Sequence, residues 1–280
     1  MDAVSLDVVR AERGRRLFLA DGRGVLTEAD AAAYVNERGF VHLFAPPRLP
    51  WPSVSDAEIR ASGKLQTFSH VVWRWKNTLP AAKLCAYGHF LRQRGLFLSW
   101  QLFPAFRRLW GLRDPVAQIL ESDAVTPMAR QMLQVVAVQG PIRSRDLRRE
   151  VEALAGRNRR TYNAALHELQ ARCLITVVGG SLKGFTMHDW DLLERHAPPE
   201  ALALDMPESE ARTRLLRQVV ANAPYCTVRE IGLLLRWERD RVAATLEELK
   251  EMGVLTEHAP EGQKDLGYRV VGDFGNDAGT

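Results

Sequence analysis

The chain has 280 residues, 46% of them apolar and 26% charged, with a net charge of +4. This is the composition of an ordinary globular protein with room for one large domain or two to three small ones. It excludes helical membrane spans, because no apolar run approaches the ~18–20 residues a crossing requires. The cysteines Cys85, Cys173 and Cys226 are odd in number and far apart, which argues against a disulfide framework or a zinc site and for a reducing, cytoplasmic setting, nucleoid-associated in a bacterium. The acidic start "MDAVSLDVVRAERGRR" has no apolar core and predicts no secretory signal.

Along the N-terminal half, "ADGRGV" (20–25) reads as a turn. Thr27, with Asp30 three residues on, suits the start of a helix over 27–38 that ends at Gly39. The alternation in "FVHLF" predicts a short strand with Phe40, His42 and Phe44 on one face and Val41 and Leu43 on the other. The Pro-rich stretch after it is loop. Five of the seven tryptophans lie between Trp51 and Trp110. In "HVVWRWKNTLPAAK" (70–83), Trp73, Arg74, Trp75 and Lys76 interleave aromatics with cations without clear helical spacing. Such a segment either faces nucleic acid, stacking bases and clamping backbone, or lines a pocket. Phe103, Phe106 and Trp110 fall at i, i+3, i+7 and predict the core face of a helix.

The charge is concentrated next. Between Pro141 and Asn163 there are seven arginines (143, 145, 148, 149, 157, 159, 160) and three acids (Asp146, Glu150, Glu152), so this segment carries the whole net charge of the chain. The pattern fits a polyanion site or a solvated helix laced with i,i+4 ion pairs.

Self-comparison reveals a repeat. "LHELQARCLIT" (166–176) aligns with "LEELKEMGVLT" (246–256), "QVVA" occurs at 134–137 and 218–221, and Pro141 with Ser144 parallels Pro224 with Thr227. Each copy predicts a helix (about 127–139; 208–222), a Pro turn, a second helix capped by Ser144 or Thr227, a third helix (about 158–172; 238–252) and a hairpin (174–178 with 185–187; 254–258 with 268–271). Three helices and a hairpin make a winged helix, whose third helix is the one that enters a DNA groove. In the first copy Tyr162, Ala165, Leu166, Leu169 and Cys173 form the apolar stripe, and Arg160, Asn163 and His167 share another face. Arg157, Arg159 and Arg160 crowd the N-terminal turn, where cations oppose the helix dipole but would hold an arriving anion together with it. The third helix of the second copy carries Glu238, Asp240, Glu247, Glu248 and Glu251 and reads as architecture. His188-Asp189 is an isolated pair, with Asp189 suited to a helix N-cap.

The expected fold is mainly α with small β-hairpins (α+β), built of tandem winged-helix modules. Residues 1–123 form a divergent N-terminal winged-helix-like module with the aromatic-rich segment, and 124–195 a basic, DNA-contacting winged helix. The Pro-rich, acidic 196–207 is a linker, 208–271 a C-terminal winged helix, and 272–280 a disordered tail.

"GPIRSRDLRREV" (140–151), "LHELQARCLITV" (166–177), "LDMPESEARTRLLRQVV" (204–220), "VVWRWKNTLPAAKLCAYGHFL" (71–91) and "SWQLFPAF" (99–106) resemble the AlkZ/YcaQ family of multi-winged-helix DNA glycosylases, in its compact AlkZ-related subgroup, over roughly residues 25–271. The resemblance implies tandem winged helices around a concave basic surface for duplex DNA, and excision of bulky or cationic alkylpurines. It also implies a catalytic Gln-apolar-Gln or Gln-apolar-Asp triplet, whose place is taken here by His42-Leu43-Phe44. Phe44 cannot position water; His42 is either a lone base or a packed residue. The expected contacts to double-stranded DNA, alkylated DNA included, are Arg143, Arg145, Arg148, Arg157, Arg159, Arg160, Asn163, His167 and Lys183 at the wing tip, with Trp73, Arg74, Trp75 and Lys76 from the aromatic segment. The chain is expected to act as a monomer and without cofactor or metal, since no Walker loop, GxSxG, HExxH or CxxC motif occurs. Three functions fit: a DNA binder in damage recognition or repair, an active glycosylase with an altered motif, or a winged-helix regulator or protein-interaction module.

Overall fold

The computed structural model describes residues 5–17, 24–63, 70–91, 94–156, 158–181, 187–223, 225–259 and 266–271. These form a mainly helical α+β fold with small antiparallel sheets. No described helix is long and apolar enough to cross a membrane. After α1 (Leu6–Arg16), the chain runs α2 (Glu28–Arg38), β1 (Phe40–His42), α3 (Val54–Ser62), α4 (His70–Ala81), β2 (Ala86–Leu91) and β3 (Arg94–Leu98). Thr27 closes a full capping box with Asp30 at the start of α2, and Gly39 ends that helix at φ +68. An added Cβ at Gly39 would meet Gln218 and Leu102 at 2.9 and 3.0 Å, so the turn into β1 needs glycine for conformation and for space. The strands order as β1-β3-β2, with Phe40 opposite Leu98 and His42 opposite Leu96.

The same order of elements then recurs. After α5 (Phe103–Trp110) and α6 (Val116–Glu121) come α7 (Pro127–Gln139), β4 (Ile142–Arg143), α8 (Ser144–Ala155), α9 (Arg159–Ala171), β5 (Ile175–Gly180) and β6 (His188–Leu192), in a sheet ordered β4-β6-β5. The short α10 (Leu193–His196) and α11 (Pro199–Ala203) lead to α12 (Glu208–Ala221), α13 (Val228–Leu235), α14 (Arg239–Glu251), β7 (Leu255–His258) and β8 (Gly267–Val270). In this third unit a single bridge, Cys226 to Tyr268, stands where the others have a short first strand. The helix–helix–helix–hairpin order is thus found in the N-terminal segment as well as in the two copies the sequence repeat reveals.

Several local expectations change. Ser144 is the first residue of α8 and does not cap it. Its hydroxyl donates to the His188 carbonyl and accepts from Trp190 Nε1, both at 2.8 Å, fastening the helix to β6. His188 and Asp189 lie in β6, not at a helix start. The stretch expected as a linker, 196–207, contains α11, which packs against α5; Ala201 and Met206 are buried, and Arg107 donates to the Leu202 carbonyl at 2.8 Å. Residues 70–81 are helical after all. Val72, Trp75, Lys76 and Leu79 form its buried stripe at i, i+3, i+4, i+7, with a lysine in one of the apolar places.

The units share cores. One apolar cluster joins α2, α3 and α4 to α7, α8 and α9; the other joins Phe40, Trp51 and α5 to α12, α13 and α14. Trp51 Nε1 donates to the Val219 carbonyl at 2.8 Å, and Asn222 donates to the Arg38 carbonyl at 2.8 Å and the Phe40 carbonyl at 3.2 Å. Trp110, half-buried at the end of α5, meets Trp237 at 5.9 Å between ring centroids. The N-terminal unit is therefore the hub to which the other two are packed.

Candidate functional site

The basic segment divides into paired and free cations. Arg143 faces Asp189 at 3.4 Å, Arg148 holds Glu152 at 2.7 Å, and Arg149 reaches Asp146 at 3.0 Å and Glu150 at 3.3 Å. The Arg148 guanidinium also sits 5.5 Å from the Tyr162 ring centroid. Arg145, Arg159 and Arg160 are exposed and have no carboxylate partner among the described residues. Asn158 caps α9 through its side chain, which accepts from Thr161 N at 3.1 Å. Exposed arginines thus stand on the first turn of a well-formed helix, at the positive end of its dipole. Asn163 is exposed one turn further on, and His167 is half-buried. Arg157 and Lys183 lie outside the described residues.

The first two units interlock. α4 of the first packs on β5 of the second, and α9 of the second packs on β2 of the first. Polar bonds stitch both halves. Asn77 Nδ2 donates to the Ser181 carbonyl at 3.3 Å, which fixes the amide, so Asn77 Oδ1 is the acceptor 2.8 Å from His188 Nδ1 and that nitrogen carries the proton. In the other half His89 N donates to Gln170 Oε1 at 2.8 Å, and Thr176 Oγ1 donates to the Tyr87 carbonyl at 3.0 Å. The His89 and His167 rings lie 4.8 Å apart. Burial holds these imidazoles neutral: His89 is lowered to about 4, with help from the charges of His167 and Lys76, and His188 to about 3, with help from Lys76 and His89.

Lys76 is buried, and burial lowers its ammonium to about 8. Its Nζ stands 3.1 Å from the Trp73 ring centroid and has no carboxylate partner among the described residues. Phe44 stacks on the same Trp73 at 6.1 Å and 27°. The residues expected to face DNA from this segment therefore separate. Arg74 is exposed and Trp73 half-buried, whereas Trp75 and Lys76 point into the core and have no surface to offer a duplex. His42 is fully buried, with both ring nitrogens away from solvent, on β1 beside Ser53. The i, i+2 pair does not meet at a common site. β1 ends at His42, and Phe44 leaves the strand for the aromatic stack.

Sequence reasoning missed His89, Asn77 and Gln170. Their partners lie 81 to 111 residues away, so no local spacing marks them. Among the described residues no group of three His, Cys, Asp or Glu is placed to hold a metal ion.

The sequence profile of a family described as AlkZ-related matches residues 25–236. Among solved structures, Streptomyces sahachiroi DNA glycosylase AlkZ shares the fold with a TM-score of 0.61 at 16% identity, over 96% of this chain and 71% of that one. No curated protein matches the sequence.

Proposed function

Because the chain belongs to the AlkZ-related family, we propose that it is a duplex-DNA-binding protein acting in the recognition or repair of damaged DNA, and that it grips the phosphate backbone through α8 and α9. The observation that carries this reading is the set of exposed cations without carboxylate partners among the described residues, Arg145, Arg159 and Arg160, two of them on a helix N-terminus that itself favours an anion. Arg143 and Arg148 join them, because exposed ion pairs are worth little and a phosphate can replace the carboxylate. Asn163 is the residue to reach a base edge. Arg157 and Lys183 enter on their sequence positions alone.

Base excision is the second activity to test, since the S. sahachiroi protein of the same fold is named a DNA glycosylase. Hydrolysis of an N-glycosidic bond needs a polar group that holds water and stabilises the developing cationic sugar. At 42–44 this chain has a fully buried imidazole and a phenyl ring committed to a stack. We read His42 as a packing residue. His42→Ala is expected to cost about 2–3 kcal/mol of stability, the scale of a core truncation, seen as a lower urea midpoint.

The test of the function is anisotropy of a labelled duplex across a salt series, with abasic-site formation measured in parallel on a duplex carrying N7-alkylguanine. Affinity that falls steeply with salt, with no abasic sites above spontaneous depurination, is expected. Salt-independent or absent binding overturns the reading in favour of a protein-interaction module. Abasic sites formed by the wild type alone would make His42 the base after all; equal formation by His42→Ala would put the chemistry on other residues.

A further inference from the structure

A cleft of about 420 Å³ opens where the three units meet. His89 and Phe90 of β2 form one wall, His167 of α9 another, Trp110 of α5 a third, and Leu235 and Arg236 at the end of α13 the fourth. The volume is that of a small-molecule site rather than a packing defect. Its chemistry is that of a planar, uncharged ligand. Trp110 and Phe90 supply aromatic surface, and the paired imidazoles supply hydrogen-bonding edges. A phosphate site would need converging cations, and the lining holds one, Arg236, which is exposed. Glu168, the acid in the lining, is already held by Thr126 N at 3.0 Å and Thr126 Oγ1 at 2.6 Å.

Position narrows the ligand further. Ala164, His167, Glu168 and Ala171 line the cleft at i, i+3, i+4, i+7, so one stripe of α9 forms its wall, and the two alanines leave the space open. Arg160 and Asn163 precede His167 on the helix at i−7 and i−4. At 1.5 Å of rise per residue, His167 lies about 10 Å along α9 from Arg160, about three base-pair steps. A duplex held at the start of α9 would have its bases within reach of the cleft.

We propose that this cleft receives a single nucleobase turned out of the duplex, stacked against Trp110 and hydrogen-bonded at its edge by His89 and His167. The proposal rests on the DNA-binding reading above and adds a site to it. Base–aromatic stacking supplies part of the energy lost on unstacking, which is smallest for an unpaired base.

The test compares two duplexes, identical except that a central 2-aminopurine is either paired with thymine or opposite an abasic analogue. The wild type is expected to bind the second about tenfold more tightly. Ala164→Leu fills the mouth of the cleft from an exposed helical position and removes nothing from its walls; it should bring the ratio of the two affinities close to 1, as should Trp110→Leu. Salt-sensitive duplex binding with no preference, or a preference that survives Ala164→Leu, overturns the base pocket and leaves the DNA-binding reading standing. No salt-sensitive binding to either duplex overturns both. Binding of free 2-aminopurine riboside that Ala164→Leu abolishes, without a duplex preference, assigns the cleft to a soluble heterocycle and overturns its duplex origin.

Discussion

Alanine at Arg145, Arg159 and Arg160 together should lower duplex affinity about a thousandfold or more near 0.1 M salt, each charge-assisted interaction being worth about 1.5 kcal/mol or more. The log–log salt slope should become shallower by about 3, one unit for each phosphate no longer neutralised. These three are the ones to remove because nothing in the described fold competes for their charge. They are exposed and have no carboxylate partner there, so their deletion breaks no bond in the free protein and leaves the native state almost as stable. Arg148 differs: it holds Glu152 and covers the Tyr162 ring, so its loss mixes binding with folding. Arg239, in the third unit, exposed and without a carboxylate partner among the described residues, is the control for a generic loss of positive charge. Affinity and slope that stay at wild-type values in the triple variant would remove α9 from the DNA interface. A loss of affinity with the slope unchanged would mean that the arginines act on something other than phosphates.

The parts legible in the sequence are those set by short-range rules. The 3.6-residue stripe of α9, the capping box at Thr27 and the turn at Gly39 depend on neighbours within a few residues, and each appears where the pattern puts it. The repeat is legible because Leu166, Leu169 and Leu246, Leu249 fill the same places in two cores. The first unit escaped it because its third helix breaks the pattern. α4 carries Lys76 where a leucine would complete the stripe, and the eye is drawn to Trp73 and Trp75, which are i, i+2 and fall on different sides of the helix. Ser144 misled for a related reason. Its type suits a cap, yet its partners, His188 and Trp190, arrive from more than forty residues away.

The seam between the first two units is the least legible part and the most consequential. Asn77, His89, Gln170 and His188 look like scattered polar residues in the sequence, and folding turns them into one reciprocal set of bonds. Such a set fixes register. α4 and α9 each lie against the other unit's hairpin, so the cleft walls on β2 and α9 keep their spacing only while those bonds hold.

That seam should make the protein sensitive to acid. His89 and His188 are neutral in the folded state down to about 4 and about 3, because burial disfavours the imidazolium and neighbouring Lys76 adds to it. In the unfolded chain an imidazole takes up its proton near pH ~6.5. Below that value the unfolded state binds protons that the folded state refuses, so stability is complete above about pH 6.5 and falls as pH drops through the folded values. The loss is about 1.4 kcal/mol per pH unit for each imidazole, with both acting between about 6.5 and about 4. His258, also lowered to about 4 by burial in the third unit, adds a term of the same sign. Lys76 acts in a different window: its penalty grows as pH falls from about 10.5 to about 8 and is constant through the acid range. Urea titrations between pH 7 and pH 4.5 should therefore show a steep fall in unfolding free energy, and His89→Gln with His188→Gln should flatten it by close to two protons. His167, His196 and His258, all lowered by burial, remain in that variant, so a residual slope of the same sign is expected. A wild-type profile that is flat over this range, or a double variant as acid-sensitive as its parent, would mean that the seam admits protons without coming apart.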